Sequence, residues 1–286
     1  MGGIGIARYT LDNLLYERAY SLGIHFIFQT VNEIAFRKNG FLITTAQNQT
    51  YSSKFVIGSY GKRSTLDKNL DRNFIRHKTE WLGVKAHYED SQFPSNLVAL
   101  HNFRGGYGGL SKTESGAINF CYLTTYESFR TQKNITDFNR HVVSKNPYLR
   151  DFLSRAKPIF REPLSIAQIS FRPKKAVENH IFMCGDAAGL IHPLCGNGMA
   201  MAVHGAKLAS ELIDTYLETA DQDRSKLESA YQVIWNQTFK KRLWLGRRLQ
   251  ALLLNETLSN LAIRTVTNSS WAFRKLIENT HGKPVL

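Results

Sequence analysis

The sequence predicts an α/β chain that carries an inserted antiparallel sheet and ends in a helical tail. Three observations predict it. A short apolar strand at residues 180–184 runs into a loop of small residues, GDAAGLIHPLCGNG, and then into a helical run. Across residues 81–126 the segments WLGVKAHY, LVALHNF and GAINFCYL alternate apolar and polar residues, with short turns of Gly, Pro, Ser or Asn between them. That alternation is the mark of antiparallel strands. Residues 226–279 keep a mostly helical pattern, with breaks near Asn255 and Asn268.

The remaining elements follow in order. Leu11, Leu14, Leu15, Ala19 and Leu22 recur at helical spacing and predict a helix over 10–22, capped by Thr10 and ended by Gly23. Residues 24–28 read as a short strand. Strands at 33–37 and 41–45 flank Asn39-Gly40, a strong hairpin signal. Residues 54–57 predict another strand, which runs into Gly58-Ser59-Tyr60-Gly61. Residues 127–156 are polar and helical, interrupted at Pro147, and 166–171 read as one more strand. The helix after the small-residue loop places Ala200, Val203, Ala206, Ala209, Ile213 and Leu217 on one stripe.

Composition narrows the function classes. The chain has 286 residues, 43% of them hydrophobic, which is the composition of a globular protein and not of a disordered one. It contains no apolar run long enough to span a bilayer and no secretory pattern at MGGIGIARYTLD. Cys121, Cys184 and Cys195 are far apart and suit free thiols in a reducing cytoplasm. Cys184, His192 and Cys195 match no zinc spacing, so no metal is expected. The net charge is +14, densest in KKRLWLGRR at 240–248. No nucleic-acid-binding motif accompanies it. A solvated helix face is the ordinary use of that charge, with peripheral contact with a membrane surface, or with a partner, as the alternative.

The loop is the most informative stretch. Side chains that small let a ligand touch backbone N–H groups. The helix starting near Gly198 turns its positive end toward the loop, and Asp186 can accept from a ribose hydroxyl. GDAAGLIHPLCGNGMAMAVHGAKLASELI resembles the second FAD-binding motif of the flavoprotein monooxygenase superfamily, the group of para-hydroxybenzoate hydroxylase and the geranylgeranyl reductases. Gly185, Asp186, Ala187, Ala188, Pro193, Gly196 and Gly198 match its pattern in order. The resemblance implies that Asp186 binds the ribityl or ribose part of FAD. It also implies that Pro193, Gly196, Asn197 and Gly198 lie against the isoalloxazine ring.

Two further segments resemble that family. IARYTLDNLLYERAYSLGI is similar to its Arg-x-x-Leu helix, which implies a phosphate contact for Arg8. FVIGSYGKRSTLDK is similar to its Gly-Ala-Asp-Gly-x-x-Ser turn, with Gly58, Gly61 and Ser64 matching and Tyr60 standing where the Asp would be. The antiparallel block then corresponds to a substrate domain. NFRGGYGGLSKTESGAINFCYL resembles the geranylgeranyl reductase branch, with Gly105, Gly106 and Tyr107 near the flavin and His101, Phe103, Tyr107, Asn119 and Tyr122 as substrate-wall candidates. No general base is assigned.

The implied organisation is a partial, Rossmann-like FAD-binding domain at 1–77, an antiparallel-sheet substrate domain at 78–175, the Gly-Asp motif and its helix at 176–222, and a helical region at 223–286. The family's opening Gly-x-Gly-x-x-Gly βαβ unit has no counterpart here, since Gly2-Gly3-Ile4-Gly5 has no strand before it. The expectation is therefore a truncated flavoprotein that binds FAD weakly or not at all by itself. The implied activity is FAD-dependent oxidoreduction with NAD(P)H as reductant, either hydroxylation or double-bond reduction, on a small substrate that is hydrophobic or lipid-like. An inactive remnant or binding module is the alternative.

Overall fold

The computed structural model describes residues 5–193, 196–220, 222–255, 258–259, 262 and 268–281. Cys195 and the Gly2-Gly3-Ile4 start lie outside the described residues. The chain forms two compact units: Met1–Phe28 with Glu80–Gln168, and Gln29–Thr79 with Ile169–Leu286. The first helix therefore groups with the antiparallel sheet, not with the segments that surround the Gly-Asp loop.

In the first unit, α1 (Arg8–Ser21) is not capped by Thr10. Its N-cap is Ala7, which has no side chain to offer. Instead Ala7 N and Thr10 Oγ1 both donate to the Glu114 carboxylate, tying the start of the helix to a turn of the sheet. The expected apolar stripe does not become a core face: α1 has no buried residue, and Leu14, Leu15 and Leu22 are 53%, 53% and 64% exposed. Residues 24–28 form no strand. Phe26 packs edge-on against Tyr16 at 4.6 Å, so ring contact takes the place of ladder pairing.

Six strands follow: β5 (Trp81–Glu89), β6 (Val98–Phe103), β7 (Gly106–Lys112), β8 (Ile118–Thr125), β9 (Lys157–Pro158) and β10 (Leu164–Ile169). The main order is β10-β5-β8-β7-β6, with β9 against β5. Side chains alternate across this sheet. One face, with Val84, Leu110, Phe120 and Tyr122, packs against Phe138 of α4 (Ile135–His141) and against Leu149 and Phe152 of α5 (Pro147–Arg155). A short helix, α3 (Tyr126–Phe129), follows β8. Pro147 starts α5 instead of interrupting a helix. It sits at the first position, where no N–H is needed, and Asn146 Oδ1 caps Tyr148 N and Leu149 N.

The second unit opens with an antiparallel meander of β1 (Val31–Arg37), β2 (Gly40–Thr45) and β3 (Thr50–Ser53). The hairpin forms, but its two-residue corner is Lys38-Asn39, with φ of 48° and 62°, and Gly40 pairs with Arg37. The turn lies one residue earlier than Asn39-Gly40 predicts, because Asn tolerates the left-handed region. The expected strand at 54–57 shrinks to β4 (Ile57–Gly58), which runs parallel to β12 (Ile181–Met183). A short strand, β11 (Val177–Glu178), completes this second sheet, and α2 (Thr65–Asn69) follows β4.

Helices α6 (Gly198–Glu218), α7 (Arg224–Leu254) and α8 (Ser270–His281) follow. The buried stripe of α6 is Met201, Gly205, Ala209 and Tyr216; of the predicted stripe Ala209 is buried and Ile213 packs against the core, whereas Ala200, Val203, Ala206 and Leu217 are exposed. The small residues face the neighbouring chain because that chain comes close. A Cβ on Gly205 would stand 3.9 Å from the Gly185 backbone nitrogen and 4.0 Å from Trp235 Nε1. Tyr231 of α7 donates to the Met183 carbonyl at 2.7 Å, fastening the longest helix to β12. Phe182, Tyr231 and Phe239 are fully buried there, and each contributes roughly 1.5–3 kcal/mol of burial free energy.

Candidate functional site

The two glycine motifs leave from adjacent strand ends. β4 and β12 are parallel, with Met183 opposite Gly58, and Cys184 N donates to the Gly58 carbonyl at 3.0 Å. The Gly58–Gly61 turn and the Gly185–Gly198 loop thus issue side by side from the carboxyl ends of neighbouring parallel strands. That is where open α/β sheets place ligands.

The four loop glycines do two different jobs. Gly185 has φ +57°, and a Cβ there would meet Ala202 Cβ at 3.2 Å. A Cβ on Gly189 would meet Trp235 Cη2 at 2.8 Å and Leu243 Cδ1 at 2.9 Å. Both are needed for packing. A Cβ on Gly196, which has φ +64°, would meet nothing within 4 Å, and one on Gly198 only Ile191 Cγ2 at 3.7 Å. These two leave open space over the backbone. Gly61, at φ +84°, is equally open, whereas Gly58 is hemmed in by Met183 Sδ at 2.7 Å.

The helix behind the open glycines lacks a side-chain cap. Asn197 is the N-cap of α6, yet its side chain makes no capping bond. Its Nδ2 donates instead to the Thr280 carbonyl of α8 at 2.8 Å, and its buried Oδ1 has no partner among the described residues. The first-turn N–H groups of a 21-residue helix are therefore left without a side-chain acceptor. A group with negative charge, such as the pyrimidine edge of a reduced flavin or a phosphate, fits such a position. This uncapped end and the open glycines accommodate the FAD that the sequence resemblance implies.

One half-buried cation and one buried cation hold the loop. Lys174 Nζ donates to the Asp186 carbonyl at 2.8 Å and to the Lys62 carbonyl at 2.9 Å, and lies 4.2 Å from the centroid of the Phe74 ring. Burial, and then the nearby Arg72 charge, pushes its pKa down to about 8, while the acids Asp67 and Asp186 act in the opposite direction. Arg72 is 1% exposed and donates to the Ala187 carbonyl at 2.9 Å and to Asp67 Oδ1 at 3.0 Å. Tyr60 OH donates to the same Asp67 oxygen at 3.2 Å, and burial raises the Tyr60 pKa to about 12. Tyr60, which stands where the family's turn has Asp, is thus anchored on a buried acid, Asp67, seven residues on. Asp67 is held in place because its Oδ2 accepts from Ser64 N in a capping box.

Beside the loop, His192 is 2% exposed and stacks on Phe171 at 3.9 Å. Its two ring nitrogens have no hydrogen-bond partner. Burial, then the Arg247 charge, lowers its pKa to about 3, so it is neutral. Pro193 is exposed and accepts from Gly196 N at 3.0 Å, closing the turn before the helix.

The structure brings Gly58, Gly61, Gly185, Asp186, Pro193, Gly196, Asn197 and Gly198 into one unit. Arg8 belongs to the other unit, 71% exposed, and pairs with Asp12 one turn along α1. The five substrate-wall candidates do not share a wall. His101, Phe103 and Tyr122 lie on the sheet face covered by α4 and α5, whereas Tyr107 and Asn119 lie on the opposite face. The two-residue period of the strands separates them. Tyr122 OH donates to Asn139 at 2.8 Å, and His101 stacks on Tyr148. Gly105 and Gly106 are packing glycines. Cβ atoms there would meet Ser128 Cβ and the Leu123 carbonyl, both at 2.4 Å.

Sequence reasoning missed Arg72, Lys174 and Asp67. The Ser64-Thr-Leu-Asp67 spacing before a helix was a readable signal for Asp67. Lys174 and Arg72 act through contacts 12 to 115 residues away and leave no local pattern.

Parallel strands carrying glycine-rich turns at their carboxyl ends, with a helix start behind one of them, define a nucleotide-cofactor-binding class of α/β protein. The chain belongs to the FAD binding domain family, whose model matches residues 6–232. It is 33% identical over 279 residues to the uncharacterized protein MJ1520 of Methanocaldococcus jannaschii, covering 91% of this chain and 68% of that one. It is 26% identical over 137 residues to conditioned medium factor receptor 1 of Dictyostelium discoideum, covering 47% of this chain and 26% of that protein. Its fold is that of the flavin-dependent halogenase CmlS, with a TM-score of 0.74 at 18% identity, covering 98% of this chain and 56% of the halogenase. HpxO of Klebsiella pneumoniae, solved with FAD and uric acid, gives 0.73 at 13% identity, covering 96% of this chain and 70% of HpxO. The chain thus spans little more than half of the halogenase's length. Among the described residues, no helix is long and apolar enough to cross a membrane.

Proposed function

We propose that the chain is the FAD-binding part of an FAD-dependent oxidoreductase. The observation that carries this reading is the uncapped start of α6 behind the open glycines Gly196 and Gly198. Bound FAD would supply hydride and electron chemistry, with a nicotinamide cofactor as the reductant and a small organic substrate as the acceptor.

The chain's own residues bind and orient. Backbone N–H groups at 196–200 would hold the electron-rich edge of the ring, and Asp186 a hydroxyl of the ribityl or ribose chain. Lys174 and Arg72 fix the backbone of residues 186 and 187, so the loop need not reorganise on binding. Neutral, buried His192 excludes water beside the loop without adding charge.

The test is a titration of the purified chain with FAD, followed by flavin fluorescence. Weak but saturable quenching, abolished in Asp186→Ala, is expected. A folded chain that shows no saturable quenching overturns the reading.

A further inference from the structure

The outer face of α7 is unlike its inner one. The inner stripe, from Leu227 through Tyr231, Trp235, Phe239 and Leu243, is buried. The outer stripe runs Val233, Gln237, Lys240, Lys241, Trp244 and Arg248, all exposed. Trp244 is 49% exposed, and the Arg248 guanidinium stands 5.4 Å from the centroid of its ring. From Phe239 to Leu254 the sequence holds five cations and no acid. Helix α8, which packs on α7, repeats the pattern on a smaller scale. Its Trp271 is 72% exposed, and Arg274 and Lys275 follow one turn later, with Glu278 pairing Lys275 at 3.0 Å.

An exposed indole costs solvation free energy unless something covers it. Two of them, each one turn from cations on adjacent helices, satisfy the needs of a bilayer interface. The ring enters the headgroup region and the cations meet lipid phosphates. Nucleic acid would satisfy the cations as well. However, the outer stripe of α7 carries only one polar uncharged side chain, Gln237, for reading bases or sugars. The surplus of positive charge over the whole chain, +14, acts in the same direction at longer range.

We propose that the exposed face of α7 around Lys240, Lys241, Trp244 and Arg248, together with Trp271 of α8, docks on the surface of an anionic lipid bilayer. The proposal is independent of flavin binding.

The experiment is cosedimentation of the purified chain with vesicles of phosphatidylcholine and phosphatidylglycerol, beside vesicles of phosphatidylcholine alone. Trp fluorescence is recorded in parallel. Binding to the anionic vesicles, a blue shift of the emission and loss of binding with rising salt are expected. Reversing two cations in a Lys240→Glu, Lys241→Glu variant should weaken partition about 10-fold or more. A Trp244→Ser, Trp271→Ser variant should lose the blue shift. Both variants change exposed side chains, so each should keep the parent's circular dichroism.

Four results would overturn the proposal. One is no preference for anionic vesicles. Another is undiminished vesicle binding by the α7 variants, with binding lost instead in Leu14→Ser, Leu15→Ser. The third is self-association, seen by light scattering and abolished by Trp244→Ser, in a chain that binds no vesicle. Salt-sensitive binding to duplex DNA without vesicle binding would likewise overturn it.

Discussion

Lys174 Nζ donates to the carbonyl of Asp186 at 2.8 Å, and its second bond reaches the Lys62 carbonyl at 2.9 Å. One ammonium thus joins the Gly58–Gly61 turn to the Gly-Asp loop. Without it the two backbones lose their common donor. Lys174→Met should lower FAD affinity about 10-fold, since hydrogen bonds to a charged group are each worth roughly 1.5–3 kcal/mol and part of that shows in binding. Flavin titration checks it. Equal affinity in the variant would remove Lys174 from the site.

The same lysine makes stability depend on pH. Its folded pKa is about 8, below the ordinary 10.5, so between these values the unfolded chain binds the extra proton. Stability should rise with pH across that window by about 1–3 kcal/mol, reduced from the full shift for partial solvent access. Urea unfolding of the parent at pH 8 and at pH 10 should show the rise. Lys174→Met should lack it, and identical pH slopes in both proteins would contradict the assignment.

Gly198 and Gly189 should separate binding from folding. Gly198→Ala adds a methyl in ordinary contact with Ile191, so the melting temperature should barely move while FAD affinity falls. Gly189→Ala drives a methyl against Trp235 and Leu243 and should cost about 1–3 kcal/mol of stability. Thermal melts alongside flavin titrations of the two variants decide it. A stable Gly189→Ala protein would mean that α7 can withdraw.

The Asp67–Arg72 pair is almost wholly buried, at 0% and 1% side-chain exposure. Arg72→Met leaves Asp67 as an uncompensated buried acid and should destabilise the fold by about 3–5 kcal/mol. Tyr60→Phe removes one neutral donor to that acid and should cost about 1 kcal/mol. Chemical denaturation of both variants tests the order, and a larger loss for Tyr60→Phe would contradict it.

His192 predicts acid sensitivity. Its folded pKa is about 3 against an ordinary 6.5, so the unfolded chain takes up the proton first as pH falls. Stability from this group is present above pH 6.5 and is lost below it, by about 2 kcal/mol at pH 5. His192→Phe keeps a ring against Phe171 and leaves no buried nitrogens. Its melting temperature should therefore fall less than the parent's between pH 7 and pH 5. Parallel acid profiles would show that His192 is hydrated and free to titrate.

Local chemistry was legible wherever it is local. The hairpin at Lys38-Asn39, the strands between Trp81 and Thr125, and the Gly185–Gly198 loop all follow from turn residues, period-2 alternation and small-residue spacing. The helix stripes were less legible. Ala209 of the expected stripe is buried, but Ala200, Val203 and Ala206 are not, because α6 turns Gly205 toward Gly185 and Trp235, where it comes close.

The sequence by itself determined the class of fold and the backbone of the cofactor loop, because glycines, alternation and caps act within a few residues. Tertiary structure alone decided that Tyr60 and Arg72 meet on Asp67 and that Lys174 and Arg72 clamp the loop. It alone divided the substrate-wall candidates between two faces of a sheet. Those relations join residues distant in the chain, and only packing sets which buried charge meets which carbonyl.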